Sequence, residues 1–142
     1  MAGLSLRRAR TIIRKTLDEG RRLELKPLSV VVLDEGGNVQ AFEREDGASP
    51  GRFQIAHGKA YGAVMLGMPG SAQMARAEAQ AYFIACANGA LGGQMVPVPG
   101  GILVRDAKGR VLGAVGVTGD TSDNDAAAGK VGVEAVGLVP EI

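Results

Sequence analysis

The chain has no tryptophan, one cysteine (Cys86), one histidine (His57) and five aromatic side chains, Phe42, Phe53, Tyr61, Tyr82 and Phe83, in 142 residues. A lone cysteine excludes an intrachain disulfide framework, and one cysteine with one histidine excludes a Cys/His metal cage. Neither sign of charge dominates. The formal net charge of +1 is too small to create the field that nucleic acid or an anionic membrane answers. No apolar run approaches the roughly 20 residues of a membrane span. Between Met1 and Gly20, Arg7, Arg8, Arg10, Arg14 and Lys15 stand where a secretory signal would have its apolar core. These absences predict one cytoplasmic domain, residues 1–142, with neither nucleic acid nor membrane as a partner; a chain of this length buries roughly 68–70% of its unfolded surface.

What the chain has instead is glycine, 22 residues of it, together with abundant alanine. Small side chains let backbones approach one another or a ligand closely, and they suit oligomers with close contacts. Leu6, Ala9, Ile13, Thr16 and Leu17 recur at helical spacing with arginines on the other face, which predicts an amphipathic helix from Ser5, its N-cap, to about Leu23. Ser29-Val-Val-Val-Leu33 is a β-branched strand, and Asp34-Glu-Gly-Gly-Asn38 is turn chemistry leading to a second strand, Val39 to Glu43. Ser49-Pro50 predicts the start of a second helix that runs to Met68, and Ser71 the cap of a third that continues to about Asn88. Gly101–Arg105 and Arg110–Val117 form another hairpin, with Asp106, Gly109 and Val111 echoing the spacing of Asp34, Gly37 and Val39. A last helix is predicted from Ser122. The order αββααββα, without βαβ alternation, implies an α/β (α+β) fold: a mainly antiparallel sheet of four or five strands flanked by helices, profilin-like or similar.

His57 is the one ordinary general base near neutral pH. On a helix it aligns with Tyr61, Val64 and Met68, a stripe suited to a flat apolar ligand. Lys59 rises from a small-residue helix and could reach a carboxylate or propionate. Thr118, Gly119 and Thr121 lie where a strand meets a helix start, a place for hydroxyl and amide donors to an anion. Ser122 and Asp125 have capping-box spacing, which explains both, and Asp125 is also a candidate catalytic carboxylate. Cys86 in Ile84-Ala-Cys-Ala-Asn88 reads as a buried, inert thiol. Glu43, Glu45 and Asp46 read as a solvated turn, with a surface metal as the alternative.

Val32-Leu-Asp-Glu-Gly-Gly-Asn-Val-Gln, Ala56-His-Gly-Lys-Ala60, Pro99-Gly-Gly-Ile-Leu, Val111-Leu-Gly-Ala-Val-Gly-Val-Thr-Gly119 and Asn124-Asp125 together resemble the GlcG/HbpS-like family of haem-binding or haem-degrading domains, in unbroken order over about residues 5 to 138. Lys59 and Ala60 match the family's Lys-Ala pair, Gly100 and Gly101 its Gly-Gly, Gly116 to Gly119 its Gly-Val-Ser-Gly with Thr118 in place of serine, and Asp125 its helix-start aspartate. The resemblance implies a profilin-like fold, a haem or tetrapyrrole ligand and a homo-oligomer.

Two functions follow. One is an oligomeric haem, tetrapyrrole or small-ligand binding protein, with His57 or Tyr61 as the iron ligand, Lys59 near a propionate, and Gly100, Gly101, Thr118, Gly119 and Thr121 lining the site. The other is a small cofactor-independent isomerase, tautomerase or lyase acting on a carboxylated metabolite, with Lys59 holding the carboxylate, the Gly116 to Thr121 turn facing an oxyanion, and Asp125 or His57 moving a proton.

Overall fold

The computed structural model describes residues 3–142. Ten elements follow in order: α1 (Leu6–Arg22), β1 (Ser29–Asp34), β2 (Val39–Arg44), α2 (Arg52–Leu66), α3 (Gly70–Ala79), α4 (Ala81–Ala90), β3 (Gly101–Arg105), β4 (Val111–Thr118), α5 (Ser122–Glu134) and β5 (Val139–Glu141). The five strands form one antiparallel sheet in the order β2-β1-β4-β3-β5. Helices α1 and α5 cover one face and α2 the other.

Burial on both faces explains why β1 is an unbroken apolar run rather than an alternating one. Successive strand side chains point to opposite faces. Val30 and Val32 therefore join Ile12, Ile13, Val115, Val117 and Ile102 in the core under α1 and α5, whereas Val31 and Leu33 join Ala56, Ala60, Ala63 and Ala114 under α2. Helix α1 begins where expected, with Ser5 Oγ accepting the amide of Arg8.

The two hairpins are built alike. The carboxylate of Asp34 accepts the amides of Gly36 and Asn38, and that of Asp106 accepts those of Lys108 and Arg110, all at 2.9 Å. Each turn closes through a glycine at positive φ, Gly37 at 82° and Gly109 at 85°.

Three expectations about the helices are corrected, and one strand is added. Helix α2 starts at Arg52, after Ser49-Pro50, and its N-cap Gly51 supplies no side-chain bond. Helix α3 starts after Pro69, and the Ser71 hydroxyl donates to the carbonyl of Ile142 instead of capping. The single helix expected from Ser71 to Asn88 is two, broken at Gln80 (φ −143°, ψ 69°). Alanine-rich, helix-forming sequence on both sides, with neither glycine nor proline at the break, keeps the helical pattern running across it. Arg76 then lies 4.2 Å over the ring of Phe83 and ties the two helices. Strand β5, too short to leave a periodic signal, completes the sheet edge beside β3.

Cys86 is exposed, not buried. Among the described elements α4 packs only on α3, with Ile84 its one buried residue, so its apolar patch faces outward. The acidic cluster is only in part the solvated turn expected: Glu43 lies in β2 and Asp46 in the turn after it, whereas Glu45 accepts the amide of Leu28 and pairs with Arg21 at 3.0 Å.

The approach of α2 to β4 leaves no room for a side chain at Gly116, where a Cβ would overlap the carbonyl of Ala56. Gly116→Ala is expected to cost about 1–3 kcal/mol, read as a lower urea midpoint with unchanged slope.

Candidate functional site

Two residues apart on α2, His57 and Lys59 lie about 200° apart around the helix axis, and they serve different surroundings. Lys59 points inward. It is 3% exposed, and its Nζ donates to the carbonyl of Val117 at 2.9 Å and to Asp125 Oδ2 at 3.2 Å. Asp125, 1% exposed, uses its other oxygen to accept the amide of Asp120 at 2.9 Å. The pair therefore clamps α2, the end of β4 and the start of α5 together. Burial pushes Lys59 below its ordinary value and Asp125 above its own, because water is withdrawn from both charges and their mutual attraction offsets only part of that cost.

The glycines matched to the family surround this clamp. A Cβ at Gly100 would stand 2.9 Å from Lys59 Nζ, and one at Gly101 would strike the Lys59 carbonyl. Gly119 has φ 145° and passes against the Pro27 carbonyl. Thr118 is 1% exposed and accepts a bond from Arg52 Nη1 at 2.8 Å. The N-cap of α5 is Thr121, not Ser122: the Thr121 hydroxyl accepts the amide of Asn124 at 3.3 Å. The capping box is thus out of register by one residue, which leaves Asp125 free to turn inward. Asp120, just before the cap, accepts the amides of Lys26 and Thr121 and the side chain of Asn124.

His57 belongs to a row of rings. Phe42 meets Phe53 edge-on at 4.9 Å between centroids, Phe53 tilts toward His57 at 5.7 Å, and His57 stacks on Tyr61 at 5.3 Å and 20°. Phe53 and His57 line a depression of about 470 Å³ with Gln54, Ile55 and the segment Gly93 to Val96. Tyr61 lies one turn on, outside that lining. Partial burial holds the His57 imidazole below its ordinary value, so it is neutral at pH 7 with a lone pair to offer. Other depressions of similar size lie at Leu17, Arg21 and Glu43 to Asp46, and between the end of α1 and the outer face of α5. Neither contains a histidine.

His57 is therefore apart from the group Lys59, Gly100, Gly101, Thr118 and Asp125, which the fold brings together. Proton transfer between His57 and Asp125 has no support in this geometry, and Lys59 is occupied by Asp125 and Val117. Sequence reasoning passed over Arg52 and Ser29. Arg52 opens α2 beside Thr118, and Ser29 pairs with Thr118 across β1 and β4. A cation in the first helical turn, where an acid is the rule, was the signal available for Arg52.

Lys59→Met is expected to cost about 3–5 kcal/mol, because it strands a buried carboxylate. The double variant Lys59→Met/Asp125→Asn, which keeps an acceptor for the Asp120 amide, is expected to cost less than the sum of its two single changes; urea unfolding checks both. Asp120 is held down from 3.8 to about 2 by the Asn124 side chain and the Lys26 and Thr121 amides. A folded value below the unfolded one stabilises above pH 3.8, and that contribution is lost as the pH falls toward 2. Asp120→Asn should flatten this part of the stability profile, measured by thermal melts across that range.

A family model described as haem degrading protein HbpS-like matches residues 4–134. Among solved structures, a complex of PduOC with heme is 20% identical, with 96% of each chain covered and a TM-score of 0.84. A double mutant of Streptomyces reticuli HbpS is 25% identical over 96% of this chain and 88% of that one, with a TM-score of 0.80. The Klebsiella pneumoniae protein ORFY is 21% identical over 94% and 90%, also at 0.80. No curated protein matches the chain. No helix among the described residues is long and apolar enough to cross a membrane. With its model matched over nearly the whole length of this chain, and the same fold in the solved structures, the protein belongs to the HbpS-like haem-degrading family.

Proposed function

We propose that the protein binds haem or a related tetrapyrrole at the depression lined by Phe53, His57 and Met95, with His57 as the iron ligand. The observation that carries this reading is a half-buried imidazole flanked by flat rings and lining a depression of about 470 Å³. Metal ligation requires the neutral form of histidine, and cavities of this size and apolar lining are usual for small cofactors. Family membership and the PduOC complex with heme support the same ligand class. His57 is favoured over Tyr61 because it lines the cavity. Bound there, the group would supply an iron centre, with His57 as the residue to hold the iron and Phe53 and the segment Gly93 to Val96 as the residues lining its surroundings.

The uncharged outer face of α4 supports a homo-oligomer, since apolar surface left uncovered within one chain is covered by another. The exposed thiol of Cys86 suits a reducing compartment such as the cytoplasm.

Titration with hemin is expected to give a saturable Soret shift that His57→Ala weakens at least about tenfold and Tyr61→Phe leaves unchanged. A flat titration, or equal binding by His57→Ala, would refute the assignment. Light scattering on the same sample is expected to give a mass of several protomers.

A further inference from the structure

The start of α2 is short of negative charge and of hydrogen-bond partners. Its N-cap Gly51 has no side chain to offer, and no acid stands in the first turn. The amide of Arg52 bonds back to the Ser49 carbonyl and that of Ile55 to the Gly51 carbonyl, which leaves the amides of Phe53 and Gln54 facing outward from the helix end. Over the same end lies the guanidinium of Arg52, held by two hydroxyls: Nε donates to Ser49 Oγ at 3.0 Å and Nη1 to Thr118 Oγ1 at 2.8 Å. Among the described residues Arg52 has no carboxylate partner.

The nearby acids are already engaged. Asp125 is with Lys59, Asp120 with the amides of Lys26 and Thr121, and Glu45 with Leu28 and Arg21. Arg52 is also near enough to Lys59 for its charge to disfavour protonation of that ammonium. Asp125 is paired with Lys59 alone, so Arg52 is left with two hydroxyls and no counter-charge among the described residues.

A second, independent observation lies beneath Arg52. Ser29 is the cross-strand neighbour of Thr118 and sits on the same face of the sheet. Its side chain is fully buried, and its hydroxyl has no hydrogen-bond partner among the described residues. A buried hydroxyl without a partner costs about 1–3 kcal/mol and calls for one that the protein alone does not provide. Because Thr118 accepts from Arg52, its own hydroxyl hydrogen is also free to donate.

We infer that the corner formed by Arg52, Thr118 and Ser29 at the start of α2 is a binding site for a carboxylate. Arg52 donates to the carboxylate, the amides of Phe53 and Gln54 supply the helix-end donors, and Thr118 and Ser29 complete the shell. The carboxylate comes either from a free small acid or from a tetrapyrrole propionate. The site itself goes beyond the haem assignment and does not depend on it.

The test has two arms on the full-length chain in chloride-free buffer. Acetate is titrated while the amide resonances of Phe53, Gln54 and Thr118 are followed by NMR. A saturable shift is expected, about tenfold weaker in Arg52→Gln and several-fold weaker in Ser29→Ala. Ser29→Ala removes a group with no partner, so it should fold at least as well as the parent and keeps the test valid if Arg52→Gln is poorly folded. No saturable shift, or one indifferent to both changes, overturns the inference whatever hemin does. In the second arm hemin is compared with its dimethyl ester, whose carboxylates are masked. If Arg52→Gln weakens hemin but not the ester, the source is a propionate; if acetate binds and both porphyrins are indifferent to Arg52, the source is a free acid.

Discussion

Helix α2 lies against the sheet at a distance set by backbone rather than by side chains, and the remaining architecture depends on that contact. Gly116 on β4 meets the carbonyl of Ala56, Gly101 on β3 meets that of Lys59, and the helix presents Ala56, Ala60 and Ala63 to the strands. Close-packed interiors leave no slack for an added methyl group, so the abundance of glycine and alanine is a condition of this geometry. Only at that separation does the Lys59 side chain reach the end of β4 at Val117 and, beyond it, Asp125. The buried ion pair is then the bolt joining layers that otherwise meet only through the strands.

The same contact divides the chemistry of α2 between its two sides. Toward the sheet, the helix carries charge into a dry environment, where each ion needs a partner. Away from it, Phe53, His57 and Tyr61 form a half-exposed row with no charged neighbour among them. A fold that packs one face this tightly leaves the opposite face and the helix end as the places where a ligand can be met. The depression at His57 and the corner at Arg52 are those two places, one proposed for a flat apolar group and the other for a carboxylate.

Much of the architecture was legible in the chain. The apolar period of α1, the β-branched run of β1 and the paired Asp-x-x-Gly turns reflect interactions within a few residues, and each formed as expected. The motifs at Lys59, Gly100, Gly116 and Asp125 identified the family and marked residues that do gather in space. Errors fell where tertiary contacts decide. Asp125 looked like a helix cap because its spacing from Ser122 suits one, yet Thr121 takes that role and Asp125 is drawn inward by Lys59. Cys86 looked buried because its neighbours are apolar, yet among the described helices and strands α4 packs on α3 alone.

The sequence by itself determined α1, the two hairpins and the last helix, and that small residues would carry the packing, because local periodicity and turn chemistry act over a handful of positions; the break at Gln80 and strand β5 it did not determine. The tertiary structure alone decided that Lys59 meets Asp125 and Arg52 meets Thr118, each pair 66 positions apart, and that His57 faces away from both. Those pairings follow from the order of strands in the sheet and the depth at which α2 sits, neither of which any window of sequence contains.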